Sequence, residues 1–413
     1  MRVLQINKFF HSRGGADQVF FRTCALLEDQ GHEVGHFATA HPNNVESKYA
    51  QFFVKGGFTE ADLGTLSLRR KADAFFEGVY NRQAYRDLQA MVREFRPDIA
   101  HAHNINYQLS PSIFDALAEE GVPAVMTLHD YSMVCTAGTL FVHDQVCERC
   151  HGGRHYNAVL HRCFHESIPA SAMGMLNKYV HAARRTWEKV SQLISPSRFL
   201  RQKMIEFGVP PERITYLPVF LETLPNAPRK EPGDYVLYFG RLSANKGVRT
   251  LPDAAQRISK PILIVGDGPL RDELAGHAAR SNGKLQLLPF VRSRQEMGAL
   301  IEGCAVAVVP SIWYENQPLA ILETYALGKP VVASRLGGIP ELVDEGSTGL
   351  LFRPGDAADL ADKLEFLLTN PELSRAWGEA GRQKVERQFS RETHYQGLMQ
   401  VYRMLCAERA MTA

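Results

Sequence analysis

Arg241 and Lys246 lie five residues apart on one short loop, Gly240-Arg241-Leu242-Ser243-Ala244-Asn245-Lys246-Gly247. A guanidinium and an ammonium so placed can grip an anion from two sides, Arg as a planar fork and Lys as a point charge. The alternative is a solvated basic turn. Farther on, Glu315-Asn316-Gln317-Pro318-Leu319 precedes a helical pattern that carries Glu323 and ends at Gly328. Pro318 suits the first turn of a helix and Gly328 the position just past its end, so a helix of about ten residues is expected from Asn316 or Gln317, with Leu319, Leu322 and Ala326 on its core face. The exposed amides of a helix start, beside two cations, make a phosphate site. Glu315 and Glu323 cannot bind phosphate but can accept hydrogen bonds from sugar hydroxyls; on spacing alone they also fit an ordinary surface helix. Gly337-Gly338 and Gly14-Gly15 each follow an apolar run and precede a helical pattern, where backbone can approach a ligand closely. Lys8 would add charge near the second pair. His129 closes another apolar run, where a histidine is either a ligand contact or simply a satisfied strand end. Cys135, Cys147, Cys150 and Cys163 follow C-x11-C-x2-C-x12-C, a spacing able to close a tetrahedral structural zinc site; the alternative is reduced thiols.

These residues must be held by strands and helices. Brief apolar runs occur at 3–6, 33–38, 99–103, 124–128 and 193–195, and again at 235–239, 261–265, 285–288, 306–309, 330–333 and 349–352. Unalternating runs of this length read as buried parallel strands. Helix-length patterns stand between them, as at 18–30, 112–120 and 358–368. Strand and helix in alternation imply an α/β fold of parallel sheets covered by helices. Residues 218–232, PVFLETLPNAPRKEP, hold four prolines without periodicity and read as a linker. The expected organisation is a first domain at 1–217 with a Cys-rich insertion at 131–166, the linker, a second domain at 233–390 and a terminal helix at 391–413. Two such open sheets bind ligands beyond the carboxyl ends of their strands, where the candidate residues fall.

Composition narrows the function. With 47 Lys+Arg against 45 Asp+Glu the formal charge is +2, too balanced for a protein that lives on nucleic-acid phosphates. No run approaches the roughly 20 apolar residues of a membrane span. The start, MRVLQINKFF, lacks the apolar stretch of a signal peptide, so a cytoplasmic protein is expected. Basic residues at 69–71 and at 181–189, including Arg184 and Arg185, could touch an anionic membrane at its inner face; a solvated helix face is the alternative.

Taken together, GRLSANKG, VGDGPLRDEL, the two glutamates of ENQPLAILETYALGKPVVAS, and GGIPELVDEGSTGLLF resemble the ordered motifs of the family 4 glycosyltransferases over about residues 235–352. The resemblance implies the GT-B architecture, two Rossmann-like doubly wound domains facing across a cleft. It also implies retaining transfer of a hexose from a nucleotide-diphosphate sugar, UDP- or GDP-linked, to a glycan or lipid-linked glycan in surface polysaccharide or glycoconjugate synthesis. On this resemblance Arg241 and Lys246 hold the diphosphate, and backbone around Asn316, Gln317, Pro318 and Leu319 caps it. Glu315 contacts the donated sugar, Glu323 the ribose, and Val291 lines the base pocket. Gly14 and Gly15 approach the donor phosphates, and His129 lies by the donor sugar. Asp130 either orients His129 or binds the acceptor. His101 and His103 read first as packing. A cysteine cluster after the His-Asp pair resembles that of a subset of the family. No nucleophile is evident, so front-face substitution with the leaving phosphate as base is the implied mechanism, without a catalytic metal. Three rivals stand beside it: a glycosidase using Glu315 and Glu323, a dehydrogenase, which the missing G-x-G-x-x-G disfavours, and a non-catalytic sugar-binding protein on the same scaffold.

Overall fold

In the computed structural model, which describes residues 1–55, 67–221, 233–291 and 293–412, the brief apolar runs become two parallel sheets of six strands each. The chain divides into two compact units: Met1–Leu140 with Glu148–Pro218 and His394–Ala413, and Phe141–Cys147 with Val219–Thr393. The expected linker at 218–232 falls largely on residues 222–232, outside the described residues.

In the first unit the strands are β1 (Arg2–Ile6), β2 (Glu33–Phe37), β3 (Ile99–Ala102), β4 (Ala124–Thr127), then, after the short β5 (Phe141–Val142) and β6 (Gln145–Val146) of the other unit, β7 (Gln192–Ser195) and β8 (Ile214–Tyr216). Their order is β2-β1-β3-β4-β7-β8, all parallel. β3, β4 and β7 are buried at every position, which is why they read as continuous apolar runs. The terminal helix Arg391–Thr412 places Leu398, Val401, Tyr402 and Leu405 against Val3, Phe20, Leu27 and Ile99. That spacing is one face of a helix, so the last residues of the chain complete the core of the first. Ser67 and Asn81 cap the helices Leu68–Val79 and Arg82–Phe95, accepting from the amides of Arg70 and Ala84.

In the second unit β9 (Tyr235–Phe239), β10 (Ile262–Val265), β11 (Leu285–Leu288), β12 (Cys304–Val309), β13 (Val331–Ser334) and β14 (Gly349–Phe352) take the order β11-β10-β9-β12-β13-β14. Numbered within the unit this is 3-2-1-4-5-6, the doubly wound arrangement. Alternate residues of the strands feed an apolar layer on each face, Val236 and Ile264 on one, Leu237, Leu263 and Val265 on the other. The order of strands reverses between β9 and β12 here, and between β1 and β3 in the first unit. Loops at those ends diverge to opposite faces and leave a crevice for ligand.

Candidate active site

In the second unit the loop after β9 carries Arg241 and Lys246, and the loop after β12 carries Glu315. Lys246 ends a short 3-10 turn, Ala244–Lys246, that Gly247 terminates at φ +67°. A Cβ on Gly247 would lie 1.8 Å from the Pro310 carbonyl oxygen, so only glycine permits this approach. The two loops are laced together where the Ile312 amide donates to the Asn245 carbonyl at 3.0 Å. On the other side the Leu242 amide donates to the Asp267 carbonyl at 2.8 Å, and Gly266 and Gly268 bring their backbone against Gly240 and Leu242. Gly266-Asp267-Gly268, part of the VGDGPLRDEL motif, is thus the clamp that holds the basic loop.

Glu315 is buried, 6% exposed, and its Oε1 accepts from Lys246 Nζ at 2.6 Å and from Ser311 Oγ at 2.7 Å. Burial alone would push the carboxyl up, but the adjacent ammonium and the Ser311 hydroxyl outweigh it and hold Glu315 below the ordinary carboxylate range. Lys246 also stands 5.1 Å from the centre of the Trp313 ring. Arg241 is exposed. The two cations therefore differ: Lys246 is already neutralised by a buried partner, whereas Arg241 brings a charge to solvent. Ser311 and Trp313 were not singled out by spacing, since nothing local marks a serine or tryptophan as neighbours of a lysine far away in sequence.

The helix expected from Asn316 or Gln317 is shorter, Leu319–Ala326, with Pro318 as its N-cap at ψ 114° rather than inside its first turn. Leu322 and Ala326 are buried as expected, together with Ile321, Thr324 and Tyr325, while Leu319 is only half-buried. Gly328 has φ +67°, the left-handed residue just past the helix end. The Gln317 side chain is committed to the Val219 peptide, accepting from its amide at 2.8 Å and donating to its carbonyl at 3.1 Å, so only its backbone faces other tasks. Glu323 is half-buried in mid-helix. Gly337-Gly338 acquires a definite role: the Gly338 amide donates to the Glu315 carbonyl at 2.7 Å, and Gly337, at φ +63°, leaves room that a Cβ would fill 2.6 Å from the same oxygen. Val291 packs at the margin of the layer formed by Leu237, Val265 and Ile301, at the end of β11.

In the first unit Gly14 is the N-cap of the helix Gly15–Asp29, and a Cβ built on it meets nothing within 4 Å. The amides of this first helical turn have no partner within the helix. Buried Asp17 anchors the turn, accepting from Asn7 Nδ2 at 2.9 Å and from the Arg13 amide at 3.1 Å, while Asn7 Oδ1 accepts from the Asn104 amide at 3.1 Å. Asn7 thereby ties the ends of β1 and β3 at the switch point.

His129, just beyond β4, is half-buried, and its Nε2 lies 3.0 Å from His103 Nδ1. Burial pushes its pKa down to about 4, so the ring is neutral at neutral pH. His101 and His103 are buried as expected but are not mere packing. Each uses both ring nitrogens, His103 toward His129 and Gln5, His101 toward Tyr402 and Thr127.

A cavity of about 410 Å³ opens beside these residues, lined by Lys8, Lys71, Phe75, Tyr107, Asp130 and Phe164 among others. Its walls come from the loops after β1, β3 and β4 and from the helices Leu68–Val79 and Ile168–Ala183. The Asp130 carboxylate accepts from the Ser132 amide at 2.8 Å, which fixes it at the rim. Cys135 and Cys150 are buried and Cys147 and Cys163 half-buried, but among the described residues no group of three or more His, Cys, Asp or Glu is placed to hold a metal ion. Polar contacts reach this insertion from outside it: Tyr107 Oη donates to the Thr136 carbonyl at 2.5 Å and the buried Lys178 ammonium donates to the Ser132 carbonyl. The basic residues at 69–71 and 181–189 are largely paired: Arg184 and Lys189 both meet buried Asp115 at 2.7 Å, Arg185 meets Glu188, and Arg70 meets Glu77. Among the described residues no helix is long and apolar enough to cross a membrane.

Solved structures share this fold. Sucrose-phosphate synthase from Thermosynechococcus elongatus superposes with a TM-score of 0.71 at 20% identity, over 99% of this chain and 100% of that one. Anabaena HepE, in complex with UDP and glucose, gives 0.68 at 18% identity over 97% and 99%. Such likeness defines the class as the two-Rossmann GT-B architecture expected from the sequence. Residues 14–219 match the description "Glycosyl transferase 4-like domain" and residues 233–370 match "Glycosyl transferases group 1". Glycogen synthase of Mycobacterium tuberculosis is 30% identical over 332 residues, 77% of this chain and 70% of that protein. The chain belongs to the group 1, 4-like family of glycosyltransferases.

Proposed function

We propose that the protein transfers a hexosyl group, with retention, from a nucleoside-diphosphate sugar to a glycan or lipid-linked glycan in surface polysaccharide or glycoconjugate synthesis. The observation that carries this reading is the buried Lys246–Glu315 pair at the β9/β12 switch point, with exposed Arg241 on the same clamped loop. Arg241 and Lys246 meet the diphosphate, and the backbone from Asn316 to Leu319 caps it. Glu315 receives hydroxyls of the donated sugar and Glu323 those of the ribose, while Val291 borders the base. Gly14 and Gly15 approach the donor phosphates, and His129 contacts the sugar. Anabaena HepE, of the same fold, holds UDP and glucose, which supports a UDP-linked donor; GDP is the alternative.

The chemistry then follows from charge. The bond between the anomeric carbon and the β-phosphate oxygen breaks as the acceptor oxygen bonds the same face of that carbon, and the acceptor's proton passes to the departing phosphate. Positive character grows on the sugar and negative charge on the diphosphate. Fixed cations and amides aimed at the diphosphate stabilise that separation without reorganising. The cavity beside Asp130 offers aromatic faces for a sugar ring and Lys8 and Lys71 for an anionic group, so it suits the acceptor. The glycosidase reading needs a carboxyl kept protonated near neutral pH. Glu315, held below the ordinary range by Lys246, does not suit the role of that acid.

The test is a panel of UDP- and GDP-sugars scored for nucleoside diphosphate release, with wild type and Arg241→Ala. Release with one donor, lost in the variant, supports transfer. Sugar freed from an aryl glycoside with no nucleotide present would establish hydrolysis instead.

A further inference from the structure

The helix Ile168–Ala183 of the first unit is built inside out. Its Ser171, Asn177, Lys178 and His181, the polar members of IPASAMGMLNKYVHAA apart from Tyr179, are all buried. Each is hydrogen-bonded there. Ser171 Oγ accepts from the Phe164 amide at 3.1 Å, and Asn177 Nδ2 donates to the Gly78 carbonyl at 2.9 Å. Lys178 Nζ donates to the Ser132 carbonyl, and His181 Nε2 donates to the Val79 carbonyl at 2.9 Å. Outward the same helix shows Ile168, Leu176 and Tyr179, 49%, 39% and 39% exposed, with Pro169, Ala182 and Ala183, so none of its exposed residues carries a charge. A surface helix ordinarily turns its apolar stripe to the core and its polar face to water.

The apolar face extends beyond the helix. The chain from 155 to 164 runs back along it, since the His155 ring lies 5.7 Å from that of Tyr179 and the Phe164 amide reaches Ser171. That segment adds Tyr156 and Leu160, 49% and 70% exposed. Large apolar side chains grouped in this way, rather than scattered singly, mark a surface that something covers. Its flanks are basic. From 149 to 185 six Lys and Arg stand against Glu166 alone. Of the six, Arg154 and Arg162 are exposed on the returning segment, and Arg184 and Arg185 just past the helix end, where they also meet Asp115 and Glu188. A second copy of the chain, related by a two-fold axis, would set these arginines against one another. The charge therefore calls for an anionic occupant. Pro169, Ala170 and Met173 of the same helix line the cavity proposed for the acceptor.

We infer that this face docks on an anionic lipid bilayer, with Leu160, Ile168, Leu176 and Tyr179 sunk among the headgroups and the flanking arginines on lipid phosphates. An apolar stripe edged by cations is the pattern of a helix that lies in the membrane interface without crossing it. Tyrosine suits that depth, its ring apolar and its hydroxyl wet. A bilayer fits better than an acidic protein because the cavity walled by this helix is then held at the membrane. The head of a lipid-linked acceptor can enter it while the tail stays among the lipids. That last step rests on the proposed acceptor; the docking face itself does not.

The test sediments the full chain with vesicles of phosphatidylcholine alone or with about one-third phosphatidylglycerol. Wild type should bind the mixed vesicles about ten-fold more tightly than the neutral ones, and several-fold less tightly when salt rises from about 0.1 M to about 0.5 M. Leu160→Glu/Leu176→Glu should weaken binding about ten-fold or more, with the urea midpoint and vesicle-free nucleoside diphosphate release both unchanged. Arg154→Glu/Arg162→Glu should erase the preference for anionic vesicles, and it carries the test if the leucine variant fails to fold. Absence of wild-type sedimentation with mixed vesicles, or wild-type binding by both double variants, overturns the inference. So does a wild-type dimer in analytical ultracentrifugation that Leu160→Glu/Leu176→Glu dissociates, which would assign the face to a second copy. Sedimentation without nucleotide release from any donor leaves docking in place and overturns the transferase reading; release without sedimentation does the reverse.

Discussion

The candidate residues of the two units use opposite electrostatics. In the second unit the chemistry-bearing groups are charged, on loops clamped by glycines to the ends of β9 and β12, with Lys246 paired to buried Glu315 and Arg241 exposed. In the first unit the groups at the ends of β1, β3 and β4 are neutral: an open glycine, an Asn–Asp knot and a chain of uncharged histidines. A leaving diphosphate needs fixed positive charge, whereas a departing sugar that itself becomes positive must not be met by a further cation. A protonated His129 beside such a sugar would oppose the reaction. Division of labour between charged and neutral sides is thus what the proposed transfer calls for.

The comparison breaks most readily at the cations. Arg241→Ala should lower kcat/KM by about a hundred-fold or more with unchanged unfolding in urea, because it removes the exposed charge proposed to meet the diphosphate. Lys246→Ala should lose activity at least as far and also cost about 3 kcal/mol of stability, since it strands a buried carboxylate. A Lys246→Ala/Glu315→Gln double variant should recover much of that stability and none of the activity. Equal urea midpoints for Arg241→Ala and Lys246→Ala would erase the distinction drawn between them. Gly247→Ala should destabilise by about 2–3 kcal/mol, from positive φ combined with collision on the Pro310 carbonyl, as thermal unfolding would register.

The neutral side answers to pH. His394, buried and pushed down to about 4, binds a proton in the unfolded chain but not in the fold. Its contribution, about 3 kcal/mol, is fully present above the unfolded value of about 6.5 and is lost as pH falls from there through about 4. His129, with the same shift, adds in the same direction. Urea midpoints should therefore drop steeply between pH 6.5 and 4, while a midpoint flat across that range would show that these rings are protonated in the fold. The smallest effect belongs to Gly14→Ala. Open space around its Cβ predicts stability within about 0.5 kcal/mol of wild type and a higher donor KM.

Much of this was legible beforehand. All eleven apolar runs became strands of the two sheets, with ends shifted by at most two residues, because mostly buried parallel strands read as continuous apolar runs. The strand β8, only three residues at a sheet edge, and the hairpin β5–β6 went unread: they are too short to leave a pattern. The helix at Leu319 starts later than its proline implied, since a proline serves as readily for the cap as for the first turn when the preceding chain is extended. The cysteine spacing is compatible with zinc, yet spacing limits only which ligands are near in sequence, and among the described residues no group of three or more His, Cys, Asp or Glu is placed to hold a metal ion.

The sequence by itself determined the two doubly wound sheets, the glycine-bounded basic loop and the family, because local apolar runs and short motifs are properties of neighbours along the chain. Only the tertiary structure decided that Lys246 meets Glu315 across 69 residues, that Gln317 turns away to hold Val219, and that Gln5 reaches Tyr402 across 397. Pairings of that kind depend on which strand ends the sheet order brings together, and on burial that forces each polar group to take whatever partner the fold puts beside it.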